Sequence, residues 1–495
     1  MGIARKIVIV GAGPGGLVSA MLLARQGCDV TLLEARATVG GRTGYIEEQG
    51  FRFDIGPTFF LYPQVLQEIF AEVGRDLMTE VPMTKIDPLY RVVFEGNGHL
   101  DARDGIEAMA AEIARLSPED ARNLPRYMND NRKKIDQFRP ILSNPFDSLL
   151  DFLRPSVLAS LKTLRPQRSL DGDLQNFFSD ERVRRAFSFQ SKYLGMSPFN
   201  CPSLFTILAF LEHEYGVWHP AGGCNMLMRK MADLATEFGA DIRLSEPVTG
   251  IEFEGKRASA VMTDQARYAG DAIILNADFA ESAQKLIPQH MRRRWTDKKI
   301  QSQKFSCSTY MMYLGIRGDL PDIQHHTICL ADDLVTNVDE IQTRLTLPAN
   351  PSFYVQNASI TDPTLAPEGH SALYVLVPVP NCHAGIDWPN VSPGYRELVL
   401  DRLSLIGIGD LRDRIVYEKI LTPHGWIDEH RIYKGATFNM SHDLSQMLYF
   451  RPHNRFEDVP GVYLVGGGTH PGSGLPVIFE SARISSRLIA KDLRL

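Results

Sequence analysis

Apolar residues in this chain fall into short continuous runs and helical stripes, separated by glycine-rich breaks. Lys6-Ile7-Val8-Ile9-Val10 is apolar after its first residue, which predicts a strand buried on both faces. Gly11-Ala12-Gly13-Pro14-Gly15-Gly16 ends that run. Leu17, Met21, Leu22 and Ala24 then recur at helical spacing, and Gly27 is placed to stop the helix. Asp29 to Leu33 predicts a second strand, closed by Glu34. The pattern returns near the other end of the chain. Val462 to Val465 reads as a buried strand and Gly466 to Gly474 as a glycine-rich turn. A helix follows, carrying Val477, Ile478, Ala482, Ile484 and Leu488. Between these ends, Asn225 to Phe238 predicts a helix with Leu227, Met231, Leu234 and Phe238 on one stripe, stopped by Gly239. Strands are predicted over 242–244, 248–254, 258–263 and 272–277, and another over Ala372 to Val377. Leu89 to Glu95 followed by Gly96-Asn97-Gly98 carries a hairpin signal. Strands alternating with helices place the chain in the α/β class.

The first break has a chemical reading. Strand, G-x-G-x-x-G, helix, strand and acid is the dinucleotide-binding arrangement, with Glu34 twenty-three residues after Gly11. Gly11 permits the tight turn, Gly13 lets the backbone approach a pyrophosphate, and Gly16 lets helix and strand pack closely. Free N–H groups and the helix dipole favour anions there, and Glu34 is placed to accept from a ribose diol. These residues alone leave NAD and FAD both open. Gly40-Gly41-Arg42 adds small residues beside the second strand and an arginine suited to phosphate. The glycines from Gly466 to Gly474 again offer bare backbone, here suited to a flavin ring and its ribityl–phosphate arm. A helix N-terminus beside the pyrimidine end stabilises an anionic reduced flavin. FAD is long enough to need both ends of the chain.

Composition narrows the class. The 495 residues are 44% hydrophobic and 23% charged, as in globular proteins, which gives a prior of about three domain-sized units. A net charge of −6 argues against a general nucleic-acid binder. No run approaches the ~18–20 apolar residues of a bilayer span. Six dispersed cysteines without a C-x-x-C pair disfavour zinc and predict free thiols in a reducing cytoplasm. His325-His326 are adjacent and predicted to point apart in a strand, so no metal site is expected, and no nucleophile elbow or H-E-x-x-H occurs. A second G-x-G-x-x-G is also absent. That predicts reoxidation by oxygen or a membrane quinone instead of a nicotinamide partner.

Residues 138–168 combine Phe138, Ile141, Leu142, Phe146, Leu149, Leu150, Phe152, Leu153, Val157, Leu158, Leu161 and Leu164 with five basic and two acidic side chains. Such a segment suits an anionic membrane interface, or a helical subdomain with a solvated basic face. Pro140, Pro145, Pro155 and Pro166 are expected to break it into short helical pieces.

Further landmarks carry a resemblance. They are Phe53-Asp54-Ile55-Gly56-Pro57-Thr58, Pro198-Phe199 with Pro202-Ser203-Leu204, and Gly216 to Gly223. Asn276-Ala277-Asp278, His325-His326, Thr361-Asp362-Pro363, Ala366 to His370 and Gly468-Thr469-His470-Pro471-Gly472 complete the set. Across nearly its whole length the chain resembles the bacterial phytoene (carotenoid) desaturases, within the FAD-dependent amine-oxidase-like flavoproteins. The resemblance implies a Rossmann-like FAD-binding domain of amine-oxidase type, interleaved with a sheet-based substrate domain and a helical, membrane-associating subdomain. The expected boundaries are 1–75, 215–282 and 455–495 for the first, 76–130, 170–214 and 283–454 for the second, and 131–169 for the third. FAD is then expected on Gly11, Gly13, Pro14, Gly15, Gly16, Glu34, Ala35, Gly41, Arg42, Pro57 and Thr58. Val248, Gly467, Gly468, Gly474, Leu475 and Pro476 complete its contacts, with Val248 near the adenine and Ala277-Asp278 near the cofactor. The implied activity is desaturation of a long apolar isoprenoid polyene by a cytoplasmic, peripherally membrane-associated enzyme. End-group oxidation and redox-neutral isomerisation stay open as alternatives. His470 is read either as orienting the isoalloxazine or as a local turn contact, and no proton acceptor is identified.

Overall fold

In the computed structural model, which describes residues 4–409 and 411–495, two sheets organise the chain. The first three residues of the expected 1–75 segment, and residue 410 of 283–454, lie outside the described residues. The first sheet has five parallel strands in the order Asp241–Arg243, Asp29–Leu33, Lys6–Val10, Ala272–Leu275, Val462–Leu464. It therefore joins segments from both ends of the chain. The continuous apolar run of the central strand has a direct cause. Ile7 and Ile9 pack with the helix Pro14–Arg25, while Val8 and Val10 pack on the opposite face with Ile273, Leu275 and Phe279. Helix Pro14–Arg25 is in turn covered by Asn225–Glu237 and Leu475–Leu493. A three-stranded antiparallel sheet, Val248–Glu254, Arg257–Thr263 and Arg267–Ala269, covers the second face.

The second sheet has seven strands: Ile415–Leu421, Ser308–Arg317, His370–Val379, Phe353–Asn357, His326–Leu330, Tyr90–Phe94 and His99–Ala102. All pairs are antiparallel except His326–Leu330 with Tyr90–Phe94. The predicted hairpin at 96–98 closes its edge, with Gly96 and Gly98 at φ 73° and 82°, in the left-handed region that glycine adopts freely.

The helical region departs from expectation at one proline. Helix Pro118–Leu142 runs for 25 residues, started by Ser117 accepting from the Asp120 N–H, and it passes through Pro140. In the last turn that proline removes only one intrahelical bond, and the helix ends two residues later, so little is lost. Pro155 does begin a new helix, Pro155–Leu164. The helices are joined through Asp173, which is fully buried between Lys134 Nζ and Arg165 Nε, each at 2.7 Å. The apolar residues of 138–168 divide into two sets. Phe138, Ile141, Phe146, Val157 and Leu164 are core, whereas Leu149, Leu150, Leu153, Leu158 and Leu161 are 48–72% exposed. Among the described residues no helix is long and apolar enough to cross a membrane. All six cysteines are free.

Candidate functional site

One cavity of about 900 Å³ runs from the ends of the parallel strands to the inner face of the seven-stranded sheet. Two helix N-termini open on it. Helix Pro14–Arg25 begins at Gly13 and helix Leu475–Leu493 at Gly474, and neither has a side-chain cap. Gly13, Pro14, Gly474, Leu475 and Pro476 all line the cavity. The free N–H groups at both starts therefore face one space, where anionic groups are favoured. Gly11, Glu34, Ala35, Gly41, Arg42, Pro57, Thr58, Val248 and Gly467 line it too, as do Ala277 and Asp278. Gly15, Gly16 and Gly468 do not. A Cβ on Gly15 or Gly16 would strike Val465, Asn276 or the Gly11 carbonyl, and one on Gly468 would stand 2.8 Å from the Phe279 side chain. These three glycines permit close packing of the loops behind the cavity.

Glu34 is fixed by two backbone donors, Ala12 N–H to Oε2 at 2.7 Å and Arg36 N–H to Oε1 at 2.9 Å, so each oxygen keeps a lone pair. Arg42 acts as a bridge. Its Nη1 donates to Thr437 O at 2.7 Å and its Nη2 to Asn439 Oδ1 at 3.0 Å, leaving three N–H groups. Burial lowers the Arg42 pKa and raises that of Asp278, and the attraction between the two opposes both shifts.

The segment 437–442 escaped sequence reasoning because no motif or spacing marks it. It crosses to the C-terminal glycine loop and lines the cavity with Thr437, Asn439 and His442. Thr437 Oγ1, Asn439 Nδ2 and His442 Nδ1 are buried there without partners among the described residues. His442 Nε2 accepts from the Ser473 N–H at 3.0 Å, and burial holds its pKa well below 6.5, so the neutral ring carries its proton on Nδ1. Arg451, fully buried, donates through Nη2 to Gly467 O at 2.6 Å and braces the same loop. Two anion-favouring helix ends and a row of unpartnered polar atoms beside glycine fit the pyrophosphate and polar ring edge of FAD.

Two histidine expectations change. His470 does not line the cavity. It is fully buried, with Nε2 2.9 Å from Asn144 O, and ties the glycine loop to the helical region. His325 and His326 do not point apart; their rings meet edge-on with centroids 4.4 Å apart. His325 precedes the strand His326–Leu330, so strand alternation does not govern it. His326 stacks on Phe59 at 3.9 Å, and its Nδ1 lies 2.7 Å from Tyr354 Oη, itself 2.8 Å from Thr58 Oγ1 on the cavity wall. Among the described residues no cluster of His, Cys, Asp or Glu has the makings of a metal site.

Fold and cavity together define a flavin-dependent oxidoreductase. Residues 14–490 match the flavin containing amine oxidoreductases, and the chain belongs to that family, on its carotenoid-desaturase branch. It is 43% identical over 492 residues to a 4,4'-diapophytoene desaturase (4,4'-diapolycopene-forming) of a Methylomonas species, covering 99% of this chain and 96% of the relative. It is 37% identical to an all-trans-zeta-carotene desaturase of Myxococcus xanthus, covering 99% and 94%. Among solved structures, an oxidoreductase from Methanosarcina mazei shares the fold at TM-score 0.65 and 18% identity, covering 97% of this chain and 99% of that one. The protein is an FAD-dependent oxidoreductase.

Proposed function

We propose that this enzyme desaturates an acyclic isoprenoid polyene of the diapophytoene or phytoene type. The observation that carries this reading is near-full-length identity of 43% to a diapophytoene desaturase, in a chain whose cavity continues past the nucleotide end between Phe138, Leu142, Phe189, Leu208, Leu211 and Met447. Bound FAD supplies a two-electron acceptor. The residues of this chain hold and exclude. Glu34 and the two helix starts anchor the nucleotide, the 437–442 segment and Gly467 fix the polar edge, and the apolar walls keep water from the reacting bond. Of the seventeen residues named above from the sequence, fourteen are proposed as cofactor contacts, while Gly15, Gly16 and Gly468 act through packing. Residues 1–75, 215–282 and 455–495 are proposed as the FAD-binding domain, with 76–130, 170–214 and 283–454 for substrate.

Expression in hosts that make diapophytoene or phytoene, with mass analysis of the pigments, tests the reaction. Desaturation gives products lighter by two hydrogens per step. Products that gain oxygen indicate end-group oxidation, and products of unchanged mass indicate isomerisation; either outcome contradicts the proposal. Oxygen or a quinone is proposed to reoxidise the flavin, and rapid flavin reduction by NADPH would count against that.

We also infer peripheral membrane attachment through residues 131–169. Ile135, Phe138 and Leu142 line the cavity on the helix that leads into the five exposed leucines. Lys162 and Arg168, both exposed, lie beside them for anionic headgroups. Changing Leu149, Leu150, Leu153, Leu158 and Leu161 together to serine is expected to weaken binding to anionic vesicles by at least ~10-fold, since each partly inserted leucine contributes on the order of 1 kcal/mol. Unchanged co-flotation would refute the attachment.

A further inference from the structure

One primary amine reaches the apolar interior of the cavity. Lys192, on the short helix Phe189–Leu194, lines the cavity, and its Nζ is buried with no hydrogen-bond partner among the described residues. The titratable groups that face it are the thiols of Cys307, just before the strand Ser308–Arg317, and Cys329, within the strand His326–Leu330 of the large sheet. Burial pushes both thiols up to about 12, so they are uncharged, and among the described residues no carboxylate balances the amine. An unpaired ammonium in such surroundings is strongly disfavoured. Burial accordingly lowers the Lys192 pKa to about 8. A hydrocarbon filling the cavity removes remaining water and favours the neutral amine further.

Tyr193, Tyr354, His442 and Glu212 are poorer proton acceptors. The Tyr193 and Tyr354 phenols are held protonated, their pKa values raised well above 10 by burial. The basic nitrogen of His442 is already accepting from Ser473. Glu212, raised to about 7 by burial, does not line the cavity and is held by Tyr90 Oη and Gln190 Nε2, each at 2.9 Å.

We propose, on the basis of the desaturation assigned above, that Lys192 is the catalytic proton acceptor of the reaction. Bound FAD would supply the acceptor for a hydride leaving one carbon with its C–H electron pair. The neighbouring carbon's C–H pair becomes the new C=C bond, and its proton passes to the neutral Nζ. The resulting ammonium returns that proton to water when product leaves.

Lys192→Met tests this, because it keeps the chain's length and apolar body while removing the base. The variant is expected to purify with wild-type FAD content and to turn over ~100-fold more slowly or worse, the usual loss when a general base is removed. Wild-type turnover is expected to rise with pH through about 8, where the amine becomes neutral, and that limb is expected to vanish in the variant. Lys192→Arg is expected to be equally impaired, since guanidinium does not deprotonate. Small primary amines are expected to restore part of the activity of Lys192→Ala. A readout independent of turnover is amine acylation of the holoenzyme followed by mass spectrometry. Lys192 is expected to label with a midpoint near pH 8 and to be protected by bound polyene. Wild-type turnover and an unchanged pH profile in Lys192→Met would overturn the lysine's role while leaving the reaction intact. A wild type that desaturates neither polyene would overturn the reaction, and the lysine with it.

Discussion

Gly16→Val is expected to give a protein without its yellow chromophore. The helix Pro14–Arg25 touches the strand that precedes it at Gly16, where any Cβ would collide with the Gly11 carbonyl oxygen and stand 2.8 Å from Asn276 Nδ2. Neither neighbour is free to yield. The Gly11 oxygen accepts from Asn276 Nδ2 at 2.9 Å, and Gly11 itself sits at φ 99° against the Asn276 backbone. Valine adds two further carbons to that Cβ, so the helix start must move off the sheet. Gly13 and Pro14 move with it, out of the cavity they line. Overpacking of this kind costs roughly 1–3 kcal/mol or more. Withdrawing the helix start adds the loss of its proposed contacts to phosphate, so FAD affinity should fall at least ~100-fold. Gly394→Val is the control. Gly394 is exposed in the helix Trp388–Arg402, with nothing within 4 Å of an added Cβ. Flavin released per chain, measured with circular dichroism to show folding, separates the two. A fully loaded Gly16→Val protein would contradict the proposed nucleotide site.

The second large effect concerns stability. Asp173→Asn removes the one buried carboxylate shared by Lys134, Arg165 and Arg168, at 2.7, 2.7 and 3.8 Å. Lys134 is also fully buried. Beyond Asp173 it has Thr206 Oγ1 at 2.7 Å and a longer contact to Asp130 at 3.5 Å. Removing one partner of a buried pair leaves its charge uncompensated, at ~3–5 kcal/mol. Burial already lowers the Lys134 pKa, and without Asp173 that lowering should deepen. Denaturant unfolding is expected to show a midpoint shifted down by that cost. The double variant Lys134→Met with Asp173→Asn should recover part of it, because the buried ammonium that has lost its nearest carboxylate is gone. An Asp173→Asn protein as stable as wild type would show that the cluster contributes little to holding the helices together.

What the chain discloses on reading follows from how local each signal is. The strands at 6–10, 29–33 and 462–464 were legible because a strand buried on both faces must be continuously apolar, and each precedes a glycine break or an acid. The glycines at 11–16 and 466–474 were legible because close backbone approach, to the cavity at Gly11, Gly13, Gly467 and Gly474 and to packed neighbours at Gly15, Gly16 and Gly468, leaves a local compositional mark. Thr437, Asn439, His442 and Lys192 left none. They reach the cavity through tertiary packing, on segments of ordinary composition. The run 138–168 looked uniformly amphipathic, yet its residues divide between core and surface, a division set by packing against the rest of the protein. Pro140 misled because its effect depends on how close to the helix end it falls. His470 misled because its neighbours in sequence face the cavity while its ring turns back to Asn144.

The most direct test of the whole account is a single anaerobic turnover. FAD-loaded protein mixed with diapophytoene in liposomes, without any other electron acceptor, is predicted to lose its flavin colour as a product lighter by two hydrogens appears in equal amount. Flavin that stays oxidised while the polyene is recovered unchanged, isomerised or oxygenated would contradict it.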